Sequence, residues 1–514
     1  MQNESLDPAR RAALADALVG AFGPLDAAAL AEVGSKLDWV SLAGGETLFR
    51  QGEHGDDVYV VVNGRLRAVA DDPVGGVRVL EESGRGSAVG ELGLLTGEPR
   101  AATIVAVRDS DLVRLPKAEF DALLHRHPHA MMQLARAAAV RLRRSSQRPA
   151  RGGSAPITIA LIAAGPGVPL GSLAGRLTSA LAREGSAVRV ASADVDRRLG
   201  RPGAAQSADG DASHSAIVAW LSELERGHRH VVLEADPGWT PWTRRCLRQA
   251  DRVLVVANAD GEPAPGEVER SAAAMGLAPR RELVLVQRDD CARPSHTARW
   301  LAPREVAAHH HVRLSDDRDV DRLARRIGGR AVGVVLGGGG ARGFAHIGMF
   351  RALAEQGIEA DVVGGTSIGA VIAAAYAHGL RADDMVEIAQ VFASRRKLLD
   401  HTLPLTSLMA ARKVTSFFQN LFGEVRVEDL WTPLFAVSSS LSRARSVIHD
   451  RGPVWHSVRA STAIPAIFPP LLHDDGDVLV DGNVMNNMPL DVMRERCEGG
   501  TVIGLNPMPT DDKQ

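Results

Sequence analysis

The tightest constraint on the fold is a five-residue run, Gly365-Thr366-Ser367-Ile368-Gly369, set between the apolar stretch DVVG and the helical pattern AVIAAAYAHG. A G-x-S-x-G between a strand and a helix stands the serine on a sharp turn, and Gly365 and Gly369 are the elbow that leaves it room. Ser367 is therefore a candidate nucleophile on an α/β sheet. Upstream, after the apolar strand AVGVVL, lies GGGGARGFAHIG, Gly337 to Gly348. Glycine cradles also serve dinucleotide pyrophosphates, but no acidic residue sits about 20 positions on at a strand end, where VVGGTSIGA stands instead. Backbone N–H groups bared by glycines at a helix start can equally hold the oxyanion of a tetrahedral intermediate.

A serine nucleophile needs a base. In an α/β-hydrolase the order is Ser, then Asp or Glu, then His, but no histidine follows Asp481, and the last one, His473, sits in the loop-like PPLLHDDGDVLV. Asp481, closing a strand at a glycine turn in DVLVDGNVMNNMPLDV, is the better candidate, taking the hydroxyl proton directly.

GGGGARG, GTSIG and DGN together resemble the patatin-like phospholipase family, over about residues 331–508. The resemblance implies an α/β hydrolase domain in which Ser367 is the nucleophile and Asp481 the general base. Gly338, Gly339 and Gly340 would form the oxyanion hole with Arg342 in support, and no metal or other cofactor is required. Asn483 stands where the family usually has Gly or Ala, a change expected to reshape the turn and keep the base. Closer still, the whole chain resembles relatives of neuropathy target esterase, which implies a serine esterase acting on lysophospholipids or related phospholipid esters. The rival expectation is a cyclic-nucleotide sensor whose hydrolase-like domain is an inactive scaffold.

The N-terminal region reads as a small β-roll. GETLFRQGEHGDDVYVVVNGRLRAVA gives short strands, with Asn63-Gly64 a two-residue hairpin signal. GELGLLTGEPRAAT follows, from Gly90 to Thr103, where Arg100 can fork onto a phosphate and Glu91 can accept from a ribose hydroxyl, while Gly90 and Ala101 permit close backbone approach. These residues resemble the phosphate-binding cassette of cyclic-nucleotide-binding domains, which implies cAMP or cGMP as a regulatory ligand, and Ala101 leans toward cAMP.

Between these regions, short apolar runs such as ITIALIAA and HVVLEAD alternate with helical stretches, as in parallel α/β units. The glycine turn in ITIALIAAGPGVPLGSLAGRL would suit a phosphate loop, yet no lysine occurs between Lys117 and Lys397 to reach a β- or γ-phosphate. A degenerate nucleotide fold acting as a docking layer is expected. TPWTRRCLRQAD, a basic helical pattern beside Trp239 and Trp242, carries no nameable chemistry, and His309 to His311 read as a solvated loop.

The chain of 514 residues divides on these patterns into 1–150, a cyclic-nucleotide-type domain ending in a helix and a Pro- and Gly-rich linker; 151–330, the middle α/β domain; and 331–514, the hydrolase domain. Sixty basic against sixty-two acidic residues argue against a nucleic-acid partner. The N-terminus lacks a signal-peptide pattern, no apolar run is of membrane-spanning length, and three scattered cysteines fit a reducing compartment, so a cytoplasmic location is expected. The stretch Ser394–Phe422, with Arg395, Arg396, Lys397, Arg412 and Lys413 beside apolar residues, reads equally as a lid resting on the inner membrane face or as a packed helix. Nothing in the sequence sets the oligomeric state.

Overall fold

The computed structural model describes residues 8–71, 77–146, 156–209, 211–275, 279–393, 400, 407–473 and 475–507. The chain forms two compact units, residues 1–284 with 306–309, and residues 285–305 with 310–514. The fold is multidomain, with an N-terminal β-roll, a middle α/β domain and a C-terminal α/β domain.

The β-roll stacks two four-stranded antiparallel sheets. One runs Asp38–Leu42, Ser110–Pro116, Asp57–Asn63 and Ala88–Val89; the other runs Thr47–Phe49, Thr103–Ala106, Arg65–Asp71 and Val77–Gly84. Alternation in DVYVVVN turns Val58, Val60 and Val62 onto a core shared with Phe22 and Phe120. Asn63-Gly64 does not make the expected hairpin. The strands on either side of it belong to different sheets, because the turn is a corner packed on Asp109 and Ser110: a Cβ at Gly64 would sit 2.2 Å from Ser110 Oγ. The helix Pro128–Ser146 follows as its basic pattern predicts, and the linker at 147–155 lies outside the described residues.

The middle sheet has the order Ala187–Val190, His230–Glu234, Ile157–Ala163, Arg252–Asn258, Arg280–Gln287, Ala308–Arg313. Its central strands pair in parallel and are buried through their middles, as in a sheet covered on both faces. The histidine run is a strand here and no loop. His310 and His311 are buried; the His311 ring meets Gln287 Nε2 at 3.1 Å and Glu428 O at 2.9 Å, and burial lowers its pKa to about 4.

The basic helix Pro241–Gln249 is buried too, with Trp242, Arg245 and Cys246 fully enclosed. Arg248 makes a two-pronged ion pair with Asp109 of the β-roll, at 2.6 and 2.9 Å, and a second pair with Asp209. Reciprocally, Arg108 of the β-roll pairs with Glu225 and Asp251 of the middle domain. Within this unit the β-roll and the middle domain are thus joined by charges removed from water.

The C-terminal sheet has the order Leu471–Leu472, Val478–Asp481, Leu434–Ser440, Val362–Thr366, Val332–Leu336, Thr501–Leu505, and Arg445–His449 pairs with Leu434–Ser440. The strand Val362–Thr366 is parallel to both neighbours, and Val478–Asp481 is antiparallel to Leu434–Ser440 with Asp481 opposite Ser438. That reversal carries Asp481 to the sheet end at which Val362–Thr366 delivers Ser367.

Candidate active site

Ser367 begins the fully apolar helix Ile368–Ala377 and has φ 56° and ψ −126°. A non-glycine residue there stores about 1–3 kcal/mol of backbone strain, held by its surroundings. Its N–H donates to Ser461 Oγ at 2.9 Å, and Ser461 Oγ–H in turn donates to Val437 O at 2.6 Å. The flanking glycines are steric necessities. A Cβ at Gly369 would stand 2.1 Å from Leu336 O, and one at Gly365 2.4 Å from the same oxygen.

Ser367 Oγ–H donates to Asp481 Oδ2 at 2.6 Å, and the other carboxylate oxygen accepts the Asn483 N–H at 2.9 Å. Asn483 thus meets the candidate base through its backbone. Both side chains are buried, Ser367 at 7% and Asp481 at 3% exposure. Burial pushes the Asp481 carboxyl above its ordinary pKa, and the bonds from Ser367 and Asn483 only partly offset this. His473 lies elsewhere, its Nδ1 2.8 Å from Asp475 Oδ1 in a turn. His449 contacts Ser438 Oγ at 2.7 Å, and burial lowers its pKa to about 4, so it is neutral near pH 7.

The glycine loop runs from the end of Val332–Leu336 into the 3-10 turn Gly340–Phe344 and the helix Ala345–Glu355. One site expectation changes here. Gly338 was expected as an oxyanion donor, but its N–H is taken by Asn487 Oδ1 at 2.9 Å. Gly339 and Gly340 keep N–H groups without partners among the described residues, and Gly340 needs its glycine for φ 57°. Arg342, expected in support of the hole, is exposed, and its backbone N–H donates to Gly339 O at 3.3 Å.

Sequence reasoning missed Asn487, Ser461 and buried His346, whose Nε2–H donates to Gly337 O at 2.8 Å. His346 and Asn487 fell inside quoted motifs, yet only the fold shows what they reach.

In the β-roll, a cavity of about 270 Å³ is lined by Gly90, Glu91, Arg100 and Ala101, with Phe49 and Leu80. Arg100 is buried over the Phe49 ring, 4.3 Å from its centre, and donates to Gly90 O at 2.7 Å and Asp57 O at 2.8 Å. Two of its five N–H donors are thus fixed. Glu91 is buried at the start of the helix Glu91–Thr96.

The glycine turn of the middle domain has a carboxylate beside it. Asn258 Nδ2–H donates to Gly167 O at 3.2 Å, and the Glu234 carboxylate, paired with Arg189 at 2.6 Å, lies 3.1 Å from where a Gly171 Cβ would be. A carboxylate at the helix start repels the anion that a phosphate loop would hold.

Three family models match in order: the cyclic nucleotide-binding domain over residues 39–127, the neuropathy target esterase family P-loop like domain over 157–332, and patatin-like phospholipase over 334–494. Patatin-like phospholipase domain-containing protein 7 of Rattus norvegicus is 34% identical over 511 residues, covering 89% of this chain and 37% of its own. The neuropathy target esterase of Drosophila mojavensis is 34% identical over 497 residues, covering 88% of this chain and 33% of its own. The chain thus spans about a third of the length of these relatives. Among solved structures, the regulatory domain of Toxoplasma gondii PKA with cAMP matches at 31% identity, 23% of this chain, 46% of its own and a TM-score of 0.22.

Proposed function

The chain belongs to the patatin-like phospholipase family, and from that premise we propose that it is a serine esterase that deacylates lysophospholipids or phospholipids through Ser367 and Asp481. The carrying observation is the 2.6 Å bond from a strained serine to a buried carboxylate. Ser367 Oγ attacks the ester carbonyl as its proton passes to Asp481 Oδ2, and the Gly339 and Gly340 N–H groups face the charge that develops on the carbonyl oxygen. Asp481 returns the proton to the departing alcohol, leaving an acyl-serine. Water then attacks the acyl carbon, gives its proton to Asp481, and frees the fatty acid as Ser367 recovers its proton.

A lipid surface as the site of action is supported by exposed apolar side chains on segments bonded around Asp481. Asp481 N–H donates to Ala463 O, and Leu408, Ile467, Leu472, Val484 and Met485 stand exposed on the neighbouring segments. The helix Arg412–Phe422 buries Phe418 and Phe422 as a packed helix does, with Arg412 and Lys413 exposed at its start; Arg395, Arg396 and Lys397 lie outside the described residues. Among the described residues no single helix is long and apolar enough to cross a membrane. We assign the chain to the cytoplasmic side, where it would bind the membrane peripherally.

The test is a fluorophosphonate probe followed by peptide mapping, beside a panel of lysophospholipid and phospholipid substrates and sedimentation with anionic vesicles. One adduct on Ser367 together with released fatty acid is expected. An unlabelled, inactive wild type would leave only the scaffold role, and activity without vesicle binding would remove the membrane part.

The β-roll is proposed to take a cyclic nucleotide that regulates turnover, with Arg100 on the phosphate and Glu91 on the ribose. Calorimetry on the full chain is expected to show binding of cAMP, weakened about 10- to 100-fold in Arg100→Leu, the worth of one or two charge-assisted hydrogen bonds. No heat with either cAMP or cGMP would end this reading, and equal turnover with and without saturating nucleotide would end the regulatory part.

A further inference from the structure

The loop after Asp481 does more than carry the base. Thr366 Oγ1–H, next to the nucleophile, donates to Asn486 O at 2.8 Å. One residue on, the Asn487 carboxamide engages both sides of one residue of the glycine loop: its Oδ1 accepts the Gly338 N–H at 2.9 Å, and its Nδ2–H donates to Gly338 O at 3.4 Å. These two contacts fix which end of the amide is oxygen. A Cβ at Gly338 would lie 2.6 Å from Asn487 Oδ1 and 3.2 Å from Ser367 Cβ, so the glycine is what admits the carboxamide beside the nucleophile.

The preceding residue is fixed as well, Gly337 N–H to Leu505 O at 3.0 Å and Gly337 O to His346 at 2.8 Å. Glycine-rich backbone is the most costly to order, and every polar group of Gly337 and Gly338 is spent on ordering this one. The next two N–H groups, of Gly339 and Gly340, have no partner among the described residues. Donors aimed at a developing oxyanion are effective to the extent that they need no reorganisation.

We propose that Asn487 is a positioning residue for the oxyanion hole, holding Gly338 so that the Gly339 and Gly340 N–H groups stay aimed at the carbonyl oxygen above Ser367. It touches neither substrate nor proton. Its place in the chain, on the loop that begins with the base, ties base, nucleophile and oxyanion donors to one segment. The proposal rests on the esterase reading given above.

The test compares full-length wild type, Asn487→Ala, Asn487→Asp and Ser367→Ala. Initial rates on a short-chain p-nitrophenyl ester separate kcat from KM, and hydrogen exchange of the peptide covering residues 337–341 is followed by mass spectrometry. Asn487→Ala is expected to lower kcat by about 10²-fold, the scale of a displaced oxyanion donor, with KM within about twofold and faster exchange across 337–341. Asn487→Asp keeps an acceptor for the Gly338 N–H but loses the donor and sets a negative charge near the oxyanion; it is expected to lose more. If the alanine variant fails to fold, the aspartate variant, close to isosteric, carries the same comparison.

Unchanged kcat in a folded variant, or a rise in KM alone, would overturn the proposal. A wild type no more active than Ser367→Ala would overturn the esterase reading and this role with it. Slow kcat with unaltered exchange at 337–341 would overturn the positioning mechanism alone.

Discussion

Asparagine at position 481 is expected to lower kcat by on the order of 10³-fold, the worth of a positioned general base, while the folded state loses no stability at pH 7. The amide keeps the shape of the carboxylate. Its oxygen can still accept the Asn483 N–H, and its NH₂ can donate to Ser367 Oγ where the acid accepted, so the geometry survives and only the proton acceptor is lost. Stability follows from the direction of the pKa shift. Burial raises the folded-state pKa of Asp481 above its unfolded value, so the native state binds this proton more tightly than the unfolded chain does. The stabilising contribution is complete below the unfolded pKa and is lost as pH rises through the folded one. At pH 7 the ionised carboxylate therefore weighs against the fold, and Asp481→Asn relieves it. Its melting temperature should equal or exceed that of wild type at pH 7, and the difference should shrink as pH falls into the carboxylate range. For the same reason the acid limb of kcat/KM in wild type should lie above the usual carboxylate pKa. Thermal melts and pH–rate profiles on the full chain check both parts. A marked loss of stability at pH 7, or an acid limb at or below the ordinary carboxylate value, would mean that burial does not govern this group.

The legible part of the site was the part whose chemistry is confined to short runs. Gly365 and Gly369 announce an elbow because both would drive a Cβ into the same carbonyl, Leu336 O, whatever else the chain does. The parallel α/β character of the middle domain was likewise implied by apolar runs that only a doubly covered sheet can bury. Asn487 and Ser461 were not legible, because an asparagine and a serine are common loop and helix residues whose value lies in one tertiary contact. The burial of the basic helix Pro241–Gln249 was not legible for a different reason. Arginines on a helix imply a solvated face only while no carboxylate comes from another element, and here Asp109, distant in sequence, buries them. Asn63-Gly64 shows the same limit, since turn chemistry specifies a reversal but leaves open whether the two strands join one sheet or two. His310 and His311 read as loop because polar residues hide strand alternation, and burial against Arg326 and Glu428 supplied the partners that composition could not.

Removal of the Arg248 side chain is expected to cost the N-terminal unit about 3–5 kcal/mol, the usual penalty for leaving a buried charge without its partner. Asp109 is fully buried, and besides Arg248 it receives the Gly44 N–H at 3.0 Å and stands 3.9 Å from Arg245 Nε. One N–H and a distant guanidinium do not replace a two-pronged pair at 2.6 and 2.9 Å. Asp109, Asp209 and His214 have the grouping of a cation site, and guanidinium groups stand there: Arg248 pairs with both carboxylates, and Arg245 Nη2 lies 3.1 Å from His214 Nδ1. Burial opposes the charge on Arg248, yet Asp109 and Asp209 outweigh it and the net pKa shift is upward, as expected for a pair that is stable only when complete. Asp109→Asn removes the buried charge instead of its partner and leaves Arg248 with half-exposed Asp209, so it should cost less than Arg248→Ala. The double variant leaves no orphaned charge and should cost less than the sum of the two. Urea unfolding of the four full-length proteins, read from the transition that exposes buried Trp242 on the same helix, gives the cycle. A loss below about 1 kcal/mol in Arg248→Ala, or strict additivity, would show that the Arg248–Asp109 pair does not hold the β-roll to the middle domain. The expected coupling would instead explain why TPWTRRCLRQAD carries arginines but no chemistry of its own: its charges serve to complete those of the β-roll.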